Sequence, residues 1–287
     1  MTDHSTALYL NLLKKSLTDY LNVRSAYANG VPPEFWWKKS PLKNLRNRLL
    51  VRWLKRSKMV VLRVDNISPD EREKLRRSGE DWPLQNAQTM VGLDRLDNIQ
   101  NLAETILVEG IDGDFIETGI WRGGSCIFMR GILDAYNDQT RKVWVCDSFE
   151  GLPDPDIDKY PEDEGTPFHL WDFFMAVSQE EVEANFEKYG LLDDRVVFVK
   201  GYFEDTLPNI KCQKISLMRL DGDQYGSTIV ALESLYPKLS NGGFVIIDDY
   251  GSVDACRTAV HDYRKANGIR DEIIQIDWTT GYWRKSK

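Results

Sequence analysis

The chain has 287 residues, of which 42% are hydrophobic and 29% charged, so it allows one large domain or one domain with an extension. Its formal net charge of −8 argues against general nucleic-acid binding, which needs a basic surface. Four cysteines lack C-x-x-C spacing, no signal peptide is present, and no apolar stretch approaches the roughly 20 residues that span a bilayer, so we expect a cytoplasmic protein without a membrane span.

The first 88 residues predict a helical extension. Leucines recur at helical spacing over residues 6–20, which indicates a helix that docks on its own core or on a second subunit, and a homo-oligomer is therefore expected. Residues 38–58 contain nine basic residues and no acidic one, interleaved with apolar residues. This pattern is typical of a basic amphipathic helix, which either binds an anionic surface or, as we favour, exposes a solvated basic face. Residues 68–81 predict an exposed helix or a linker.

From residue 89 the pattern alternates between strands and helices. This alternation predicts an α/β fold, a doubly wound, mostly parallel sheet with helices on both faces. A long loop is expected over residues 151–168, which are rich in Pro, Asp and Gly. The helices are predicted at 95–108, 125–136, 178–189, 227–239 and 256–266, and the strands at 114–117, 142–146, 196–200, 217–220, 244–247, 273–277 and 282–284.

A glycine turn follows the first predicted strand. Only Gly119 occupies a tight-turn position, so the pattern departs from G-x-G-x-x-G and disfavours a nicotinamide dinucleotide. Glu117 precedes this turn, where it suits a cationic ligand. Asp147, 30 residues later at the end of the next strand, is placed to accept hydrogen bonds from ribose hydroxyls, although alone it is equally typical of a helix cap. A nucleoside ligand without a pyrophosphate loop suggests S-adenosylmethionine.

Two later apolar runs each end in a pair of carboxylates. Asp221 and Asp223 follow the first run, and Asp248 and Asp249 follow the second. If the two strands are close neighbours, four carboxylates gather at one sheet edge and need a cation or a shared proton. Any one of them is as typical of a cap, but the four together favour a divalent-metal site with a base.

Six short segments resemble the macrocin O-methyltransferase family, and the likeness extends over nearly the whole chain. That family methylates hydroxyls on the sugars of antibiotics and other natural products. The segments are GDFIETG at 113–119, CDSFEGLP at 146–153, DTLP at 205–208, RLDGD at 219–223, DDY at 248–250 and IDW at 276–278.

The resemblance implies a class I, Rossmann-like methyltransferase fold with S-adenosylmethionine and a divalent metal, usually Mg²⁺. It makes Asp223 the general base, and the implied metal ligands are Asp221, Asp248 and Asp249. The implied cofactor contacts are Glu117, Thr118, Gly119 and Asp147, with Thr89 and Met90 closing over the cofactor and Tyr202 and Phe203 beside the adenine.

We therefore expect a metal-dependent O-methyltransferase that acts on a sugar hydroxyl of a natural product or glycoconjugate. Its catalytic domain is expected over residues 89–287, with the extension at 1–88 and the long loop covering a glycosylated or hydroxylated small-molecule acceptor. Two alternatives stay open: methylation of a catechol-like or phenolic molecule, and a non-catalytic nucleoside-binding or scaffold protein.

Overall fold

The computed structural model describes residues 4–21, 68–80, 86–165 and 175–286, and the basic helix predicted at 38–58 lies outside these ranges. The described strands are β1 (Asp114–Thr118), β2 (Val143–Asp147), β3 (Val196–Lys200), β4 (Ile215–Leu220), β5 (Leu239–Ile247), β6 (Ile274–Gln275) and β7 (Gly281–Arg284). The described α-helices are α1 (His4–Leu17), α2 (Pro69–Ser78), α3 (Leu93–Glu109), α4 (Gly124–Ala135), α5 (Gln179–Lys188), α6 (Phe203–Thr206), α7 (Tyr225–Leu235) and α8 (Asp254–Ala266).

The seven strands form one sheet in the order β3-β2-β1-β4-β5-β7-β6. The first five pair in parallel, and β7 runs antiparallel to both β5 and β6. The predicted fold class, a doubly wound and mostly parallel α/β sheet, is confirmed. The chain order reverses between β1 and β4, which is the position where open α/β sheets bind ligands.

Alternation along the strands gives the sheet two apolar faces. Phe115 and Leu217 point into a core shared with α1, α3, α4 and α5, whereas Ile116 and Met218 point into a second core with α7 and α8. Successive side chains of a strand point to opposite faces, so strands covered on both sides must be apolar throughout. The sheet is therefore buried between two helical layers.

Helix α3 shows how the apolar spacing produces this packing. Leu96, Ile99 and Ile106 are at most 1% exposed and form its inner face. The helix ends at Gly110, which adopts φ 65 and donates its N–H to the carbonyls of Ile106 and Leu107. Glycine takes this left-handed conformation without steric cost, so Gly110 ends the helix, which spans Leu93–Glu109 where 95–108 was predicted.

Helix α1 packs on the core of its own chain. Leu10, Leu13 and Leu17 are buried in the core that includes α4, while Leu8 and Leu12 on the other side are exposed. Of the two docking surfaces expected for this helix, its own core and a second subunit, the described contacts match the first. The division at residue 88 and the homo-oligomer stay predictions. No helix in the described ranges is long and apolar enough to cross a membrane.

Several predicted boundaries were wrong, and the strand expected at 244–247 begins already at Leu239. The helix expected over 227–239 runs from Tyr225 to Leu235, and a 3₁₀ turn (Tyr236–Lys238) follows it before β5 begins. Pro237 explains the early end, because it lacks the N–H that would continue the helical hydrogen bonds, although Tyr236 before it keeps helical angles of φ −60 and ψ −35. The strand expected at 273–277 contains only Ile274–Gln275, and the loop expected at 151–168 contains a 3₁₀ turn, Pro161–Asp163.

Helix α3 offers a matched test of core packing. Ile106 is fully buried, whereas Val108, two residues further along, is 85% exposed. We expect Ile106→Ala to lower the free energy of unfolding by about 2–5 kcal/mol, because it removes apolar contacts and leaves a cavity. Val108→Ala should change it by less than about 0.5 kcal/mol. Urea denaturation measures both, and equal losses would contradict this packing.

Candidate active site

The candidate site lies at the carboxyl edge of the four central strands. Parallel register brings Thr118, Cys146, Leu220 and Ile247 to one level. The residues that follow them are joined by backbone hydrogen bonds: Gly119 N–H to the Cys146 carbonyl, Asp221 N–H to Thr118, and Asp248 N–H to Leu220, all 2.9 Å. Residues from distant parts of the sequence therefore emerge side by side.

Two cavities meet at this edge. The first, with an empty volume of about 640 Å³, lies beside the β1 and β2 ends, and the second, of about 1050 Å³, lies over the β4 and β5 ends. The residues that line both cavities are Met90, Gly119, Ile120, Trp121, Met175, Asp221 and Asp223.

Gly119 makes the approach between β1 and β4 possible. It has φ 77, and a Cβ at this position would lie 1.7 Å from the backbone oxygen of Asp221. Trp121, two residues further on, has φ 49, which is uncommon for a bulky side chain. The turn therefore packs directly against the end of β4, where Asp221 and Asp223 follow.

The Asp147 side chain forms hydrogen bonds with the backbone next to the glycine turn. One carboxylate oxygen accepts the N–H of Ile120 at 2.8 Å, and the other accepts the N–H of Phe149 at 2.7 Å. Burial raises the pKa of Asp147, and these two N–H groups oppose the rise. Asp147 also lines the first cavity, and its contact with ribose hydroxyls stays a prediction.

The other predicted cofactor contacts separate into three places. Met90, Tyr202 and Phe203 line the first cavity. Thr89 lines only the second, where its hydroxyl accepts the N–H of Val91 at 3.1 Å. Thr118 lines neither cavity, and its buried hydroxyl has no hydrogen-bond partner within the described ranges.

Glu117 is held by protein groups. It is 1% exposed, forms an ion pair with Arg219, and accepts the Cys126 thiol at a sulfur–oxygen distance of 2.9 Å. Burial raises its pKa, and Arg219 opposes the rise. Glu117 lines the second cavity and not the first. The positive group that it binds in this structure is Arg219, where the sequence suggested a cationic ligand.

Three carboxylates form a close group. Asp221, Asp223 and Asp249 each place one oxygen within 4.8 Å of the other two. Burial, followed by neighbouring carboxylates, raises the pKa of Asp221 and Asp249 well above the ordinary range, and burial with the charge of Asp248 raises the pKa of Asp223 to about 7. A divalent cation with a preference for oxygen ligands would relieve this crowding, so the donor set fits Mg²⁺.

Asp248 lies outside that group, although the sequence predicted it as a metal ligand. One of its oxygens is 3.0 Å from Arg95 Nη1, and the other is 2.5 Å from Arg219 Nη2 and 3.2 Å from the Thr280 hydroxyl. Burial alone would raise the pKa of Asp248, but Arg219 and Arg95 hold it below its ordinary value. The structure thus gives Asp248 two cationic partners from the protein itself.

Neither Arg95 nor Arg219 was among the site residues predicted from the sequence. Arg219 stands in the middle of an apolar strand and is 1% exposed, and a charge in such a run is a usable sign of a buried partner. Arg95 gave no such sign, because it belongs to a helix with many polar residues. It also binds Asp277, at 2.5 Å between Nε and Oδ2.

The sheet order, the glycine turn and the carboxylate edge together define a class I methyltransferase. The comparisons agree: residues 6–285 match the macrocin O-methyltransferase family, to which the chain belongs. It is therefore an S-adenosylmethionine-dependent O-methyltransferase, so the predicted family, methyl donor and enzyme class are confirmed, whereas the divalent metal stays a prediction.

Characterised relatives cover most of the chain. A tetracenomycin 4'-O-methyltransferase from Streptomyces olivaceus, named for a substrate that carries a 2,3-dimethoxy-α-L-rhamnosyl group, is 45% identical over 99% of this chain and 95% of its own length. The mycinamicin III 3''-O-methyltransferase of Micromonospora griseorubida is 49% identical over 75% of this chain and 84% of its own. The solved structure of the O-methyltransferase NovP superimposes with a TM-score of 0.80 at 38% identity, covering 98% of this chain and 100% of that one.

Gly119 provides a test of the cofactor turn. We expect Gly119→Ala to weaken S-adenosylhomocysteine binding at least tenfold or to prevent folding, because the added Cβ overlaps the Asp221 carbonyl. Gly190→Ala is the matched control, since Gly190 also has a positive φ, 67, but open space around it. Calorimetric titration and thermal unfolding measure both variants. Wild-type affinity in Gly119→Ala would refute the close approach.

Proposed function

We propose that this enzyme transfers the methyl group of S-adenosylmethionine to a sugar hydroxyl of a glycosylated natural product and that it needs a divalent cation. The observation that carries the proposal is the junction of the two cavities at Asp221 and Asp223. A donor in the first cavity and an acceptor in the second would meet beside the carboxylates. The names of the relatives, which include a rhamnosylated tetracenomycin and a demethyldecarbamoylnovobiocin, support a glycosylated acceptor.

For the cation we propose Mg²⁺ with Asp221, Asp248 and Asp249 as its ligands. Three carboxylates suit an ion that prefers oxygen and retains open positions. Asp248 would have to share its oxygens between the cation and its arginines, which a carboxylate with two lone pairs on each oxygen permits. When bound, such an ion orients neighbouring hydroxyls and stabilises the negative charge that develops on the reacting oxygen.

Asp223 is the proposed general base. It faces both cavities, and its carboxylate stands next to Asp221 and Asp249, where the acceptor hydroxyl must lie. Its backbone has φ 55, and its N–H donates to Asp249 Oδ2 at 3.3 Å. In the reaction Asp223 takes the hydroxyl proton while the oxygen attacks the methyl carbon, and the carbon–sulfur bond breaks as the carbon–oxygen bond forms.

The rest of the site holds the donor and acceptor in line. The glycine turn at Gly119 and the carboxylate of Asp147 hold the nucleoside of the donor. Trp121 and Met175 line both cavities and would therefore contact both the donor and the acceptor. Orientation of this kind contributes several kcal/mol to a bimolecular transfer. The chain therefore contributes alignment and a base.

An acceptor panel tests the proposed function. We expect methyl transfer from labelled S-adenosylmethionine to rhamnosylated and other deoxysugar natural products, with little or no transfer to catechol or caffeate. Chelation by EDTA should abolish turnover, and Mg²⁺ should restore it. Transfer to phenols alone would favour the phenolic alternative, and full turnover in EDTA would remove the cation from the mechanism.

Single carboxylate variants separate the base from the ligands. We expect Asp223→Asn to bind Mg²⁺ and cofactor normally and to lose at least 100-fold in kcat, because the proton acceptor is removed. Asp249→Asn and Asp248→Asn should instead raise the Mg²⁺ concentration needed for half-maximal activity. If Asp223→Asn shifts the Mg²⁺ dependence and Asp248→Asn does not, Asp223 is the ligand and the proposed roles are exchanged.

A further inference from the structure

The loop over residues 151–165 connects the cofactor cavity with the protein interior. Gly151, Leu152 and Pro153 at its start line the first cavity. Asp163 near its end is 1% exposed. The loop therefore forms one wall of the cofactor cavity, and the partners of Asp163 decide how firmly that wall is held.

Those partners are the first N–H groups of helix α7. Asp163 Oδ1 accepts the N–H of Tyr225 at 2.6 Å, and Oδ2 accepts that of Gly226 at 2.9 Å. The first N–H groups of any helix lack intrahelical acceptors, and a negative charge is favourable there. Gln224, the local N-cap residue, makes no capping hydrogen bond with its side chain. Asp163 thus caps the helix from 62 residues away in sequence.

Further contacts fasten the same junction. The Gln224 side-chain amide donates to the Pro153 carbonyl at 3.1 Å. The rings of Tyr160 and Tyr225 lie 5.7 Å apart between centroids. A Cβ on Gly226 would lie 2.6 Å from Tyr160 Cδ2, so the loop covers the helix too closely for a side chain. Both ends of the loop are therefore attached to the first turn of α7.

The same helical turn follows the catalytic carboxylates directly. Asp223 is two residues before α7 begins, and Gln224 N–H closes a tight turn on the Gly222 carbonyl at 2.5 Å. A fixed first turn therefore sets the direction in which Asp221 and Asp223 leave the sheet edge. We propose that Asp163 is a positioning residue for methyl transfer, because its cap holds the loop against the cofactor and keeps the 221–223 turn in place.

Removal of the cap tests this role in the full-length protein. We expect Asp163→Ala to weaken S-adenosylhomocysteine binding about tenfold and to lower kcat about tenfold or more, with Asp163→Asn in between because its amide oxygen still accepts one N–H. Asp158→Asn, an exposed position in the same loop, is the control and should match the wild type. The binding measurement needs only the established cofactor, whereas the kcat measurement rests on the proposed role of Asp223.

Trypsin cleavage after Lys159 reports the loop directly, since this side chain is 54% exposed. S-adenosylhomocysteine should protect the Lys159–Tyr160 bond in the wild type but not in Asp163→Ala, with fragments identified by mass spectrometry. A purely structural cap would lower the melting temperature and leave protection and cofactor affinity unchanged. That result would overturn the proposal.

Gly226→Ala tests the contact between the loop and α7 without replacing Asp163. Alanine favours the helix itself, so the melting temperature should not fall because of helix propensity. The added Cβ should displace Tyr160 and the loop, and the affinity for S-adenosylhomocysteine should decrease as in Asp163→Asn. Wild-type affinity and wild-type protection of Lys159 in Gly226→Ala would contradict the coupling between the loop and α7.

Discussion

The active edge depends on one buried guanidinium. Arg219 is 1% exposed and is ion-paired with Glu117 on β1, with Asp221 after its own strand, and with Asp248 after β5. Burying a charge costs several kcal/mol unless its partners have good geometry, and removing one partner leaves the others uncompensated. Arg219 therefore ties together the three central strands that carry the glycine turn and the carboxylates.

Positive charge from the protein neutralises only part of this edge. Arg219 and Arg95 form ion pairs with the carboxylates of Glu117, Asp221, Asp248 and Asp277. Among the described residues, no lysine, arginine or histidine forms an ion pair with Asp223 or Asp249. Asp223 and Asp249 therefore lack a cationic partner among the described residues, which is the electrostatic basis for proposing a bound cation there and a carboxylate able to accept a proton.

Local patterns predicted the parts of the fold that local physics controls. Strand–helix alternation predicted the sheet, and the Gly119 turn and the acids after β2, β4 and β5 were found because strand ends share one edge. The partners of those acids could not be predicted, because Arg95 meets Asp248 across 153 residues and Asp163 meets α7 across 62. Such pairings depend on how the helices and loops pack on the sheet, and that packing cannot be predicted from the pattern of any short segment.

The long-range pairings also bear on how the enzyme folds. Glu117 and Arg219 are 102 residues apart, and Arg95 and Asp277 are 182 apart, so these two ion pairs of the edge close large loops of chain. The entropic cost of closing such loops must be met before the pairs form, which makes their formation slow and dependent on the finished sheet. A nascent chain that stops at the end of β6 lacks Asp277 as a partner for Arg95. Catalytic competence should therefore be acquired in one cooperative step that needs the segment between β6 and β7.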